Sequence, residues 1–222
     1  SNPVTYIKAY DDIRKLFSEQ PYARMNGYGH SHFSFNIEGG RCPECQGEGV
    51  VKVEMQFMAD VVLTCESCGG KRFKPDILEV RYKDKNIYDV LEMTVEEAIA
   101  FFSSQKEPAA LRIADRLRPL DEVGLSYIKL GQSSSSLSGG ESQRVKLAYF
   151  LSRENSEKNR LFIFDEPTTG LHVFDIEKLL KSFRALIKNG HSVLVVEHNM
   201  DEVKCADWII DLGPDAGQNG GT

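Results

Sequence analysis

Hydrophobic and polar positions follow two different rhythms along this chain. From Leu161 onward, apolar runs alternate with a helical stripe. Leu161-Phe162-Ile163-Phe164 has no polar interruption, the pattern of a strand buried on both faces of a parallel sheet. Ile176, Leu179, Leu180, Phe183 and Ile187 then recur at helical spacing. Ser192-Val193-Leu194-Val195-Val196 predicts a second buried strand, and Trp208-Ile209-Ile210-Asp211-Leu212 a third. Strand, helix and strand in that order predict a parallel βαβ unit.

The earlier part is more broken. Asp11 to Phe17 predicts a helix with Ile13, Leu16 and Phe17 on one face. Phe33-Ser34-Phe35-Asn36-Ile37 alternates between glycines and predicts a short strand. So does Leu78-Glu79-Val80-Arg81-Tyr82, followed by a turn at Lys83 to Asn86. Thr94-Val95-Glu96-Glu97 is a capping box for a helix lined by Val95, Ala98, Ile99 and Phe102.

Composition narrows the class. At 222 residues, 41% hydrophobic and 27% charged, the chain reads as an ordinary globular protein. It has no apolar run of membrane-span length and no secretion signal at its first residues, which predicts a cytoplasmic protein without a membrane partner. Its net charge of −6 argues against nucleic-acid binding through bulk positive charge. A local excess remains: Lys71, Arg72, Lys74, Arg81, Lys83 and Lys85 stand against Asp76, Glu79 and Asp84. Side chains of this kind can contact phosphates without reading sequence.

Four of the five cysteines form two tight pairs. Cys42-Pro43-Glu44-Cys45 is followed after nineteen residues by Cys65-Glu66-Ser67-Cys68, the spacing of a two-pair zinc site. Each pair lets one turn present two thiolates, and four thiolates complete a closed, structural tetrahedron around Zn2+. Gly47, Gly49, Gly69 and Gly70 suit the turns just beyond each pair. His30 and His32 read as surface residues, and Cys205, beside Val203 and Ala206, as a core residue.

Three further segments point to nucleotide chemistry. Leu137-Ser138-Gly139-Gly140-Glu141-Ser142-Gln143-Arg144 opens a helix with its own capping box at Ser138 and Glu141. Two glycines in a first turn are poor helix formers, and they make sense where an anion must approach bare N–H groups. Asp165-Glu166-Pro167 puts two carboxylates at the carboxyl end of a strand, where α/β sheets bind ligands. There an aspartate can help hold Mg2+ and the next acid can orient a water. Glu197-His198-Asn199 closes the neighbouring strand. A phosphate-binding G-x-x-x-x-G-K-[ST] loop is absent from the 222 residues; Cys68-Gly69-Gly70-Lys71-Arg72 and Gly217 to Thr222 both fail its spacing.

Together these segments make the chain similar to the UvrA family, the damage-sensing ATPases of the bacterial excinuclease in nucleotide excision repair. The likeness also runs through Ser1 to Tyr6, Phe33 to Asn36, Gly39 to Cys42, Val53 to Met55, Asp89 to Leu91, Val123 to Leu125, Leu130 to Gln132, Asp165 to His172 and Asp211 to Pro214. It departs from the family pattern at His30-Ser31-His32, Phe164 and Ser133 to Ser136.

The resemblance implies the C-terminal lobe of an ABC-type P-loop ATPase, an α/β fold with a parallel sheet, carrying an inserted zinc-containing α+β signature domain. The segment would begin just after the P-loop half of the second ABC module. Residues 1–40 would open the insertion, 41–75 form the zinc module, 76–125 complete the insertion, and 126–222 form the ATPase lobe. Asp165 takes the Walker B position, Glu166 that of the catalytic carboxylate and His198 that of the switch histidine. Ser138, Gly139, Gly140, Glu141 and Gln143 become signature residues facing ATP held by another module. Implied cofactors are Zn2+, ATP and Mg2+; implied partners are damaged double-stranded DNA, UvrB and a second copy in a dimer. Without a P-loop the chain alone is expected to be inactive. Two other readings are a non-repair ABC ATPase and a zinc-stabilised DNA- or protein-binding module with a non-functional ATPase half.

Overall fold

A computed structural model describes residues 2–55, 60–152 and 159–213. Ser1, Pro214 and the Gly217 to Thr222 stretch lie outside the described residues. Helices dominate: α1 (Pro3–Tyr6), α2 (Ala9–Ser18), α3 (Pro21–Met25), α4 (Pro75–Leu78), α5 (Ile87–Glu92), α6 (Val95–Ser104), α7 (Pro108–Glu122), α8 (Gly139–Leu151), α9 (Val173–Lys188) and α10 (Met200–Val203). Among the described residues, four strands form two separate pairs. β1 (Val50–Val53) and β2 (Val61–Thr64) are antiparallel, and β3 (Leu161–Asp165) and β4 (Ser192–Val196) are parallel.

Helix α7 organises the interior. Ala110, Ile113, Ala114, Leu117 and Leu120 fall on one broad stripe and are buried, as an amphipathic period requires. The helix packs against α2 and α6 and also against α8 and α9. One apolar core therefore runs from Val4 and Ile13 through Leu117 to Leu179 and Leu186. Polar ties reinforce the α7–α9 contact: Lys178 Nζ pairs with Asp121 at 2.9 Å and Ser182 Oγ donates to the Glu122 carbonyl at 3.2 Å.

The helix starts agree with the local signals. Thr94 and Glu97 cap α6 reciprocally, and Ile13, Leu16 and Phe17 of α2 are buried. Three predicted strands do not form. Phe33 ends a 3-10 turn (His30–Phe33) and Ser34 to Ile37 stay irregular. Its alternation has another cause: Phe33 packs on Phe17 and Phe35 on Tyr10. Leu78 ends α4, and only Tyr82 bridges to Lys85 around the predicted turn. Trp208 to Leu212 form no strand among the described residues: Trp208 lies in a bend and is 84% exposed.

The parallel pair also departs from expectation. Phe162 meets Phe150 of α8 edge-on with ring centres 4.5 Å apart, and Phe164 lies tilted against Phe183 of α9 at 4.7 Å. Both helices thus cover the same face. Ile163, pointing the other way, is 64% exposed, and Leu161, Leu194 and Val196 are exposed with it. A continuous apolar run predicts burial on both faces, and here only one is covered because the described residues supply no second layer. Cys205 is exposed rather than part of the core. It sits two residues past the short α10; its thiol donates to the Asp201 carbonyl at 3.3 Å.

Candidate functional site

The cysteine pairs meet. The four sulfurs lie within 4.8 Å of one another, with Cys42 and Cys65 at 3.9 Å and Cys45 and Cys68 at 3.7 Å. A metal–sulfur bond of about 2.3 Å in a tetrahedron places sulfurs about 3.8 Å apart, whereas a disulfide needs about 2 Å. The donor set and its spacing fit a Zn2+ ion, which these four side chains would hold without an open position. Backbone donors serve the sulfurs, among them Gly49 N–H, which reaches Cys45 at 3.2 Å, and Arg72 N–H, which reaches Cys68 at 3.4 Å. Burial resists ionisation of Cys42, but the N–H groups of Cys45 and Glu44 outweigh it and hold its thiol at about 7. Burial pushes Cys45 up to about 12. Gly47 and Gly49 have φ of +87° and +77°, and a side chain at Gly47 would strike the Phe35 carbonyl at 2.2 Å. The cysteines and Val51 form an apolar cluster separate from the main core.

The second group gathers at the ends of β3 and β4. Asp165 pairs in register with Val196, so Glu166 and His198 leave the sheet side by side; His198 Nε2 stands 3.8 Å from Glu166 Oε1. Glu166 holds a left-handed backbone at φ +45°. A non-glycine residue in that region costs about 1–3 kcal/mol and marks sites where side-chain direction matters. Both groups are exposed.

Helix α8 is fastened to that edge. Ser138 Oγ accepts from Glu141 N–H at 3.2 Å, and Glu141 accepts from Ser138 N–H at 2.7 Å and from the Tyr127 hydroxyl at 2.6 Å. Burial together with Glu141 raises Tyr127 to about 12. A side chain at Gly139 would meet open space, while Gly140 is buried near the Glu166 carbonyl. The Gln143 amide clasps the Asp165 main chain, donating to its carbonyl at 2.9 Å and accepting from its N–H at 3.1 Å. Arg144, fully buried, donates to the Pro167 carbonyl at 2.5 Å.

Glu197 emerges as an organiser that its sequence context does not reveal. Its carboxylate accepts from Thr168 N–H and Oγ1 and from the N–H groups of His198 and Asn199. Burial works against its charge, but these hydrogen bonds outweigh it and hold the pKa below the ordinary carboxylate value. Glu197 thus ties the turn after Glu166 to the loop bearing His198. Of the basic residues near the second cysteine pair, Arg72 donates to the Gly131 carbonyl, Lys83 pairs with Glu107, and Arg81 donates to the Asp84 carbonyl.

Known proteins place this arrangement. No protein-family model matches the chain. It is 54% identical over 222 residues to UvrABC system protein A of Clostridium perfringens, covering all of this chain and 23% of that protein. The Aquifex aeolicus counterpart is 54% identical over 221 residues with the same coverage. The crystal structure of UvrA2 from Deinococcus radiodurans is 46% identical, with a TM-score of 0.86 over 100% of this chain and 26% of that one. The chain therefore spans about a quarter of the length of the relatives it matches. With the α/β lobe, the four-sulfur cluster and an end-to-end match converging, the chain belongs to the UvrABC system protein A family.

Proposed function

We propose that the chain is the part of a DNA-damage-recognition ATPase that completes shared nucleotide sites. The observation that carries this is the convergence of Asp165, Glu166 and His198 at one sheet edge, with the glycine-opened N-terminus of α8 fixed to that edge through Gln143. Asp165 would hold Mg2+ against ATP, Glu166 would orient or deprotonate the attacking water, and His198 would face the terminal phosphate. Gly139 and Gly140 would present N–H groups, and Ser138 its hydroxyl, to the phosphates of ATP carried on another module's P-loop. Glu141 holds Ser138, and Gln143 serves the site through the Asp165 main chain. The zinc module is a structural element of the insertion between this edge and DNA. Damaged double-stranded DNA, UvrB and a second copy of the protein are the partners of the complete cytoplasmic protein, whose ATP cycle accompanies loading of UvrB.

Glu166→Gln in the full-length protein is expected to lower turnover at this site by about 10²-fold or more while ATP still binds. Unchanged turnover would refute the assignment of Glu166. The chain alone should show no ATP hydrolysis; after addition of the P-loop half, continued inactivity would favour the binding-module reading.

A further inference from the structure

Arg72 occupies a costly backbone position for an arginine. Its φ is +70°, in the left-handed region that glycine enters freely and other residues enter at a cost of about 1–2 kcal/mol. Gly69 and Gly70 just before it also have positive φ, so the turn as such is built from glycine. What Arg72 adds is a set of contacts that no other described residue makes. Its N–H donates to Cys68 Sγ at 3.4 Å, and its carbonyl accepts from Cys42 N–H at 2.8 Å. Through its main chain it therefore touches both cysteine pairs. Its guanidinium crosses to the other body of the molecule and donates to the Gly131 carbonyl at 2.8 Å, passing the Phe35 ring at 5.9 Å.

Gly131 belongs to a loop with little freedom. Its N–H is bonded to the Leu91 carbonyl at 2.7 Å, and a side chain there would press on Leu91 at 3.0 Å. The preceding Leu130 carbonyl accepts from the buried Asn2 at 3.0 Å, and Leu130 N–H reaches the Met93 carbonyl at 2.9 Å. Ser133 then caps a single 3-10 turn (Ser134–Ser136), and Ser138 opens α8. Six residues separate Gly131 from the N-cap serine. The Arg72 side chain gives a displacement of the cysteine centre a direct polar path to this loop.

We infer that Arg72 is a positioning residue that sets the register of the α8 N-terminus against the zinc centre. It acts through the Gly131 carbonyl, so that a load on the metal module reaches the nucleotide signature. The inference rests on the proposed ATP role of that signature. A charged planar donor suits the task because hydrogen bonds from ionised groups are about twice as strong as neutral ones, and lysine would supply a point charge on a flexible stem in place of a fixed fork.

The test uses the full-length protein with duplex DNA. Arg72→Ala is expected to keep its zinc, its DNA affinity and its DNA-free ATP turnover within about twofold of the unsubstituted protein. The change in turnover caused by DNA should shrink about tenfold, the size of one lost charged hydrogen bond. Arg72→Lys should restore part of it. Gly131→Ala, which shifts the same loop without touching the cysteine turns, should reproduce the loss with zinc retained. A full DNA response in Gly131→Ala, or in an Arg72→Ala that keeps its zinc, would overturn the inference, as would equal falls with and without DNA. If the unsubstituted protein's turnover ignores DNA, the ATP–DNA reading itself fails before any variant is compared.

Discussion

Two acids on neighbouring turns meet opposite fates. Glu197 is held charged by four donors, whereas Glu202 is buried with no hydrogen-bond partner at either oxygen among the described residues. Burial and the nearby Glu197 charge raise Glu202 to about 7. The pH signs follow. Glu197 contributes stability above the unfolded carboxylate value, lost as pH falls through its lowered folded value. Glu202, held neutral, contributes stability below about 4.5, lost as pH rises towards 7. Glu202→Gln should therefore stabilise the fold at pH 8 by on the order of 1–2 kcal/mol, seen as a raised thermal midpoint, and leave stability at pH 4 nearly unchanged. A midpoint at pH 8 equal to or below that of the parent chain would show that the carboxylate is satisfied as it stands. At this scale the sequence named Asp165, Glu166 and His198 because residue type and strand ends are local. It could not name Glu197, Arg72 or the backbone of Glu166, whose roles depend on long-range contacts and dihedral angles.

Elements were legible where their cause was local. The capping boxes of α6 and α8 and both cysteine turns are written within a few residues of each other, and all four form. The missing strands failed for the converse reason. A strand exists only with a partner, and among the described residues Phe33 to Ile37 and Trp208 to Leu212 have apolar content but no neighbouring strand. The metal module is the element with the clearest independent behaviour. Its cysteines form an apolar cluster apart from the main core, so they have little to hold them without an ion. Elemental analysis should find one zinc per chain. Chelation should release hydrogen-exchange protection across β1 and β2 while α6 and α7 keep theirs, since structural zinc is worth about 10–16 kcal/mol to small modules. Unchanged protection of the hairpin after metal removal would show that the cysteines pack well enough unaided.

The whole molecule is less modular than its pattern suggests. The boundary expected near residue 125 falls between segments that share one core through α7. Leu117→Ala should cost about 2–5 kcal/mol, and α6 and α9 should lose it together in a single transition. If exchange showed α9 unaffected, the two sides would be separable units after all. Sequence alone hides this, because an amphipathic stripe tells which face is buried and not against which partners.

That common core bears on how force would move. Two bodies joined by a linker can swing about a hinge, but a helix packed on both sides forbids this, so the helical body turns as one piece. The β1–β2 arm projects from it on its own small cluster, joined at the Cys42–Arg72 turns. The arrangement is that of a short handle on a stiff lever. Motion at the handle would arrive at the opening turn of α8 as a small tilt, and the stiffness of the joint, more than the distance spanned, would decide how much of it arrives.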